Sequence, residues 1–239
     1  MDNQQTSSNQ PIGFAVDGWQ ARPYPPRTSM QGHYCELQPL NFEEHAADLY
    51  DAFRKDTDHR NWTYLPYGPF DDFESFADWL KQSSQTEDPL FFAILETKTG
   101  DAEIAKAVGI ASYLRIDPAV GVIEVGHIHY SPLLQKTPVA TEAMYLMMKR
   151  VFDELGYRRY EWKCDALNEG SVKAAGRLGF EFEGIFRQAT LYKGRNRDTA
   201  WFSIIDKEWP DLKLAFEHWL KPANFDAGGQ QVQRLKVSR

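Results

Sequence analysis

The sequence predicts one α/β or α+β domain in which a single sheet carries helices packed on its faces. Three observations predict it. Apolar residues switch between alternating and helical periods in the order strand, two helices, three strands, helix, strand, helix, two strands, helix. Hydrophobic residues make up 42 % of the 239 and charged residues 26 %, a balance ordinary for a chain with a packed core. The regular pattern is confined to about 33–222, between segments of different composition.

Residues 1–32 include "MDNQQTSSNQP" and "ARPYPPRTSMQG", rich in Gln, Ser and Pro, and are read as an extended arm that buries little by itself. The body, 33–222, opens with a strand at "HYCELQPL". A helix follows from Phe42 to about Lys55, where Phe42, Ala46, Leu49 and Phe53 recur at helical spacing. A second starts at Asp71, with Phe73, Phe76, Trp79 and Leu80 on one face and acidic residues in the first turn, where the helix dipole favours them. Strands "LFFAILET" and "AVGIASYLRI" come next, linked through "KTGD", then a strand from Val120 to Tyr130 and a helix from about Thr137 to Leu155. The strand "YRRYEWKCDA", the short helix "EGSVKAAGRLG", a hairpin of "FEFEGIFRQATLY" and "GRNRDTAWFSIID", and the helix "DLKLAFEHWL" complete the body. Residues 223–239 read as a flexible, mildly basic tail.

A net charge of -7 argues against bulk binding to nucleic acid, which needs Lys and Arg to neutralise phosphates. Small molecules or cationic groups are the expected partners. Cys35 and Cys164 are far apart and in no ligand-like spacing, so neither a disulfide framework nor a Cys-based zinc site is indicated. No apolar run approaches the length of a membrane span, and a cytoplasmic location is expected.

In "QKTPVATEA", Thr137 is a good N-cap and Pro138 stands at the first helical position, where its missing amide costs the helix nothing. The amides of Val139, Ala140 and Thr141 are expected to be free for an anion, although an ordinary capped helix reads the same way. Asn168 ends a strand with Ser171 three residues on, which fits a helix N-cap and a ligand contact equally well. His127 and His129 share one face of their strand and could act as a base or hold a metal, but no third metal ligand stands out. The aromatic stretch "NWTYLPYGPF" is either a satellite core cluster or a binding wall.

Taken together, Glu124 and Gly126 on the central strand, Gln135 to Ala140 opening a helix, Asn168 with Ser171, and Leu178, Gly179 and Phe180 resemble the GNAT acyl-CoA N-acyltransferases. The likeness is to the branch containing the ribosomal-protein N-terminal alanine acetyltransferases, and it covers most of 33–210. It implies a mixed, mostly antiparallel central sheet flanked by helices in three layers. It also implies acetyl-CoA as co-substrate, no metal, and an acetyl group passed by direct attack to a primary amine on a protein N-terminus or a small molecule. By the same resemblance the pantetheine arm lies along Ile128 and Tyr130. The pyrophosphate sits on Gln135, Lys136, Thr137, Val139, Ala140 and Thr141, with Asn168, Ser171 and Arg177 as further contacts. Glu124 is the first candidate base, with His129 as the imidazole alternative, and Ser171 or Tyr130 could protonate the departing thiolate. Trp62, Tyr64, Tyr67 and His127 are the expected acceptor wall.

Two departures stand out. Pro138 occupies a place usually held by glycine, removing a donor and close backbone approach, and Ala175 replaces a tyrosine common in the family. They motivate one alternative, an acyl-CoA-binding module without turnover, and the long arms offer a second, an interaction protein that keeps the fold and uses them as docking segments. A monomer or a homodimer fits equally.

Overall fold

The computed structural model describes residues 4, 5, 8–97 and 105–237, so the "KTGD" link lies outside the described residues. A small ribbon pairs β1 (Gln4–Gln5) with β2 (Pro11–Ile12). The main sheet has eight strands: β3 (Met30–Gln31), β4 (Cys35–Pro39), β5 (Leu90–Glu96), β6 (Lys106–Asp117), β7 (Val122–Tyr130), β8 (Arg159–Asp165), β9 (Glu181–Tyr192) and β10 (Arg195–Ile205). Their order across the sheet is β3-β4-β5-β6-β7-β8-β10-β9, antiparallel throughout except where β7 runs beside β8. The mixed, mostly antiparallel sheet expected from the sequence is therefore present.

Five α-helices among the described residues cover it: α1 (Phe42–Phe53), α2 (Phe73–Ser84), α3 (Pro138–Lys149), α4 (Glu169–Arg177) and α5 (Trp209–Trp219). Helices α1 and α2 close a core of Leu49, Phe53, Phe76 and Leu80 against Phe91 and Ile110 on one face. Helices α3, α4 and α5 close a larger one on the other, around Met147, Tyr160, Phe202 and Phe216. Side-chain alternation along β5 and β6 feeds both cores, which is why these strands read as nearly continuous apolar runs. The expected helix to Leu155 ends as a π-turn over Arg150–Glu154.

Both flanking segments are tied to the body. Buried Arg150 donates to the Thr28 and Ser29 carbonyls, Met30 is buried, and residues 30–31 join the sheet edge. At the other end, buried Asn224 donates to the Trp219 and Gln233 carbonyls and accepts from the Gln233 amide, while Leu235 and Val237 pack on the main core. The segment read as a flexible tail is thus docked in its described residues. Composition misleads here because a buried amide side chain and a few scattered apolar residues, not a continuous apolar face, do the anchoring.

Candidate active site

The central feature is a parting of the sheet. β7 and β8 pair from Val122 with Arg159 to Val125 with Trp162, and the ladder then stops. At the same place Ser112 opposes Gly126 while Ile110 opposes His129, so β7 carries an extra residue there, with His127 at a φ of 49°. A bulge of this kind bends the strand and re-aims its groups. From Gly126 onward the backbone edge of β7 faces a gap, open to pairing by an extended, amide-bearing ligand.

Glu124 stands one step before the gap. Its Oε2 lies 2.6 Å from Arg115 Nη1 and 2.9 Å from Lys163 Nζ, and Lys163 also reaches Glu161 at 2.6 Å. Its other oxygen, Oε1, faces Gly126, 3.7 Å from where a Cβ would sit there. Glycine keeps that approach clear. Lys163 also caps the Trp201 ring, 3.8 Å from its centroid. Beyond lies a cavity of about 980 Å³ between β6, β8 and the β9–β10 hairpin, lined among others by Arg115, Lys163, Phe186, Arg187, Arg197 and Trp201. The hairpin tip reaches across to the turn before α2: Lys193 donates to the Trp62 carbonyl and Arg195 to that of Thr63.

The start of α3 lies by the end of β7, where the Tyr130 hydroxyl donates to the Ala140 carbonyl. Thr137 Oγ1 accepts from the Ala140 amide and donates to the Leu134 carbonyl. Thr141, the fourth helical residue, is placed to close the first intrahelical bond, so its amide is not the free donor expected. Amides left without an acceptor among the described residues are those of Lys136, Thr137 and Val139. Lys136 has a φ of 63°, a left-handed turn that aims successive amides into one concavity. Arg177 donates to Thr141 Oγ1 at 3.1 Å and lies over Trp219, adding a cation beside them. This set of donors and charge fits the diphosphate of coenzyme A, with Pro138 contributing none. Gln135 does not join it, because its Nε2 donates to Asn61 Oδ1 and the Tyr130 carbonyl, pinning the end of β7.

The remaining candidates fall into distinct groups. His129 is buried, stacked on Phe53 at 3.9 Å and edge-on to Trp62, with neither ring nitrogen hydrogen-bonded; burial pushes it down to about 3. It is a neutral core residue, and so is Trp62. Tyr130 donates to the Ala140 carbonyl at 3.2 Å, and burial raises its phenol well above the usual range, which makes it a poor proton source. Ile128 lies on the α3 side, packed against the main core. His127 stays at the cleft, its Nδ1 3.3 Å from the Tyr67 hydroxyl and its ring stacked on Tyr67; burial, then Arg115 and Arg197, push it down to about 4. Tyr64 straps the gap by donating to the Leu167 carbonyl. Asn168 caps α4 through the Ser171 amide, and Ser171 Oγ accepts from Trp162 Nε1 while its hydroxyl is also in hydrogen-bond contact with Cys164.

Sequence reading missed Arg115, Lys163, Arg197 and Trp201. One signal was available: Glu161 and Lys163 alternate inside a strand otherwise buried, where charges persist only when paired. Lys163 pairs with Glu161 on its own strand and with Glu124 on the neighbouring one.

Comparison with known proteins agrees with this geometry. A family model for the acetyltransferase (GNAT) domain matches residues 36–181. The crystal structure of a GCN5-related N-acetyltransferase from Brucella melitensis is 47 % identical, covering 92 % of this chain and 97 % of that one at a TM-score of 0.88. A probable GNAT-family acetyltransferase from Chromobacterium violaceum is 41 % identical over 84 % of this chain and 98 % of its own, with a TM-score of 0.75. An uncharacterised N-acetyltransferase of Bacillus licheniformis is 25 % identical over 153 residues, 61 % of this chain and 80 % of the relative. The parted sheet, the open helix start and these matches agree: the chain belongs to the GNAT acetyltransferase family and is an acyltransferase.

Proposed function

We propose that the protein transfers an acetyl group from acetyl-CoA to a primary amine by direct attack, with Glu124 as the proton acceptor. When bound, acetyl-CoA supplies the acyl group as a thioester, already activated. The open edge of β7 beyond Gly126 holds the extended arm by backbone pairing, and the amides of Lys136, Thr137 and Val139 with Arg177 hold the diphosphate. The bulge at His127 interrupts the ladder beside the gap, and a backbone amide there would stabilise charge developing on the thioester carbonyl oxygen. Holding both reactants in one cleft supplies much of the acceleration.

Glu124 carries the reading. Arg115 and Lys163 fix the carboxylate through Oε2 and leave Oε1 at the one glycine on that strand, where an incoming ammonium or an intervening water can pass its proton. Ser171 or water returns a proton to the departing thiolate, since a thiol of ordinary acidity needs little help near neutral pH. Tyr67 and His127 form one wall for the acceptor.

The test is calorimetric titration of acetyl-CoA and of free coenzyme A into the full chain, followed by thiol release with a panel of primary amines. Micromolar binding together with amine-dependent thiol release is expected. Absence of heat and of any thermal shift with either ligand would overturn the assignment.

A further inference from the structure

The cleft beyond Glu124 has a charge opposite to that of the whole protein. Four cations line it, Arg115, Lys163, Arg187 and Arg197, against one lining carboxylate, Asp198, in a chain of net charge -7. Arg115 and Lys163 are engaged by Glu124 and Glu161. Arg187 and Arg197 stand within ion-pair distance of no carboxylate among the described residues. Asp198 Oδ1 accepts from the Gln188 amide and from Asn196 Nδ2, bonds that with the field of Arg187 hold this carboxyl below its usual range, so Arg187 is offset in part and Arg197 is the less compensated of the two.

Two buried donors on residues that line the same cavity also have no acceptor among the described residues: Arg197 Nε and Trp201 Nε1. Buried polar hydrogens without a partner are rare in native proteins and call for an acceptor from outside. The local backbone presents them. Arg197 opposes Thr190 and Thr199 opposes Phe186, so β9 bulges between, with Gln188 at a φ of 51° pinned by Asp198. That bulge turns Arg187 into the cavity wall beside Arg197. His127 senses the same field, since Arg115 and Arg197 add to burial in keeping it neutral.

We infer that the acceptor amine carries an anionic group, a carboxylate or a phosphate, held by Arg197 and Arg187 with Trp201 Nε1 while the amine points toward Glu124. This rests on the transferase reading and adds a substrate class to it. A guanidinium fork with unused donors matches either oxyanion, and the pairing also settles orientation. The same cations oppose the charged form of a nearby ammonium, so an amine so held loses its proton more readily.

The test uses matched amines differing only in the anion: O-phosphoethanolamine against ethanolamine, and β-alanine against β-alaninamide. Thiol release from acetyl-CoA and thermal shift of the coenzyme A-loaded full chain are read for each, in the wild type and in the double variant Arg187→Gln, Arg197→Gln. The expected result is a preference of about tenfold or more for the anionic member, in kcat/KM or in binding, that the double variant loses while still binding coenzyme A. The two pairs separate phosphate from carboxylate. Equal response to both members of each pair, or a preference that survives in the variant, would overturn the inference and leave the transferase reading intact. Failure to bind coenzyme A at all would instead overturn the transferase reading, and this inference with it.

Discussion

Lys163 Nζ lies 2.9 Å from Glu124 Oε2, and the two side chains are 5 % and 4 % exposed. The pair spans β7 and β8 at the last step before they part, so it ties the two strands where the backbone ladder no longer can. Two charges removed from water at such a point stay there only because Arg115 and Glu161 complete the set.

Replacing Glu124 by Gln keeps the shape and removes the proton acceptor. Thiol release should fall by about 10²- to 10⁴-fold in kcat, with the affinity for acetyl-CoA unchanged. Steady-state kinetics beside calorimetry separates the two. An unchanged kcat would remove Glu124 from the mechanism.

Pro138→Gly returns an amide to the start of α3. Hydrogen bonds to charged groups contribute about 1.5–3 kcal/mol, so coenzyme A should bind about tenfold tighter or better. Helix stability should drop slightly, since proline is well suited to that position. Calorimetry showing equal or weaker binding would mean that the diphosphate does not sit there.

Gly126→Val places a branched side chain between Glu124 Oε1 and the gap, where even a Cβ would stand 2.9 Å from Leu114 Cδ2. Turnover should be lost while coenzyme A binding weakens and thermal stability falls by about 1–3 kcal/mol from overpacking. Retained turnover would show that Oε1 does not need that approach.

His129 and His127 set an acid limit on stability. Both fold with imidazoles below their usual range, at about 3 and about 4, so the unfolded chain takes up protons that the native one refuses. Stability is complete above about pH 6.5 and declines as the pH falls, by about 1.4 kcal/mol per unit for each histidine, down to those values. By pH 5 the two together cost about 4 kcal/mol. Urea midpoints for wild type and His129→Leu between pH 8 and 5 check this: the variant should lose about half of the slope and keep its turnover. Loss of turnover would return His129 to the catalytic candidates.

Asn224→Ala should cost about 2–4 kcal/mol, because the buried amide serves both Trp219 and Gln233 and its removal strands their backbone groups. A change within a few tenths of a kcal/mol in chemical denaturation would mean that the C-terminal segment does not hold the body together.

The sequence by itself determined the elements, the sheet class and the family. Apolar periods of two and near four residues specify strand and helix locally, and Thr137 followed by Pro138 sets the start of α3 through backbone chemistry alone. The resemblance to the GNAT branch, carried by Glu124 and Gly126 among other residues, implied that Glu124 stands on the central strand beside the gap. Tertiary structure decided which groups meet. Charge pairing across strands depends on register, so the partners of Glu124 came only from the parallel alignment of β7 with β8 and the turn of β6. Burial decided the histidines: two residues apart on one strand, one lies sealed between Phe53 and Trp62 while the other faces the cleft. Gln135 and Tyr130 were likewise taken up by hydrogen bonds to groups distant in the chain or across the turn. A local pattern carries no information about such partners, because the energy of a polar group depends on what desolvates and satisfies it, and only the folded chain brings those neighbours together.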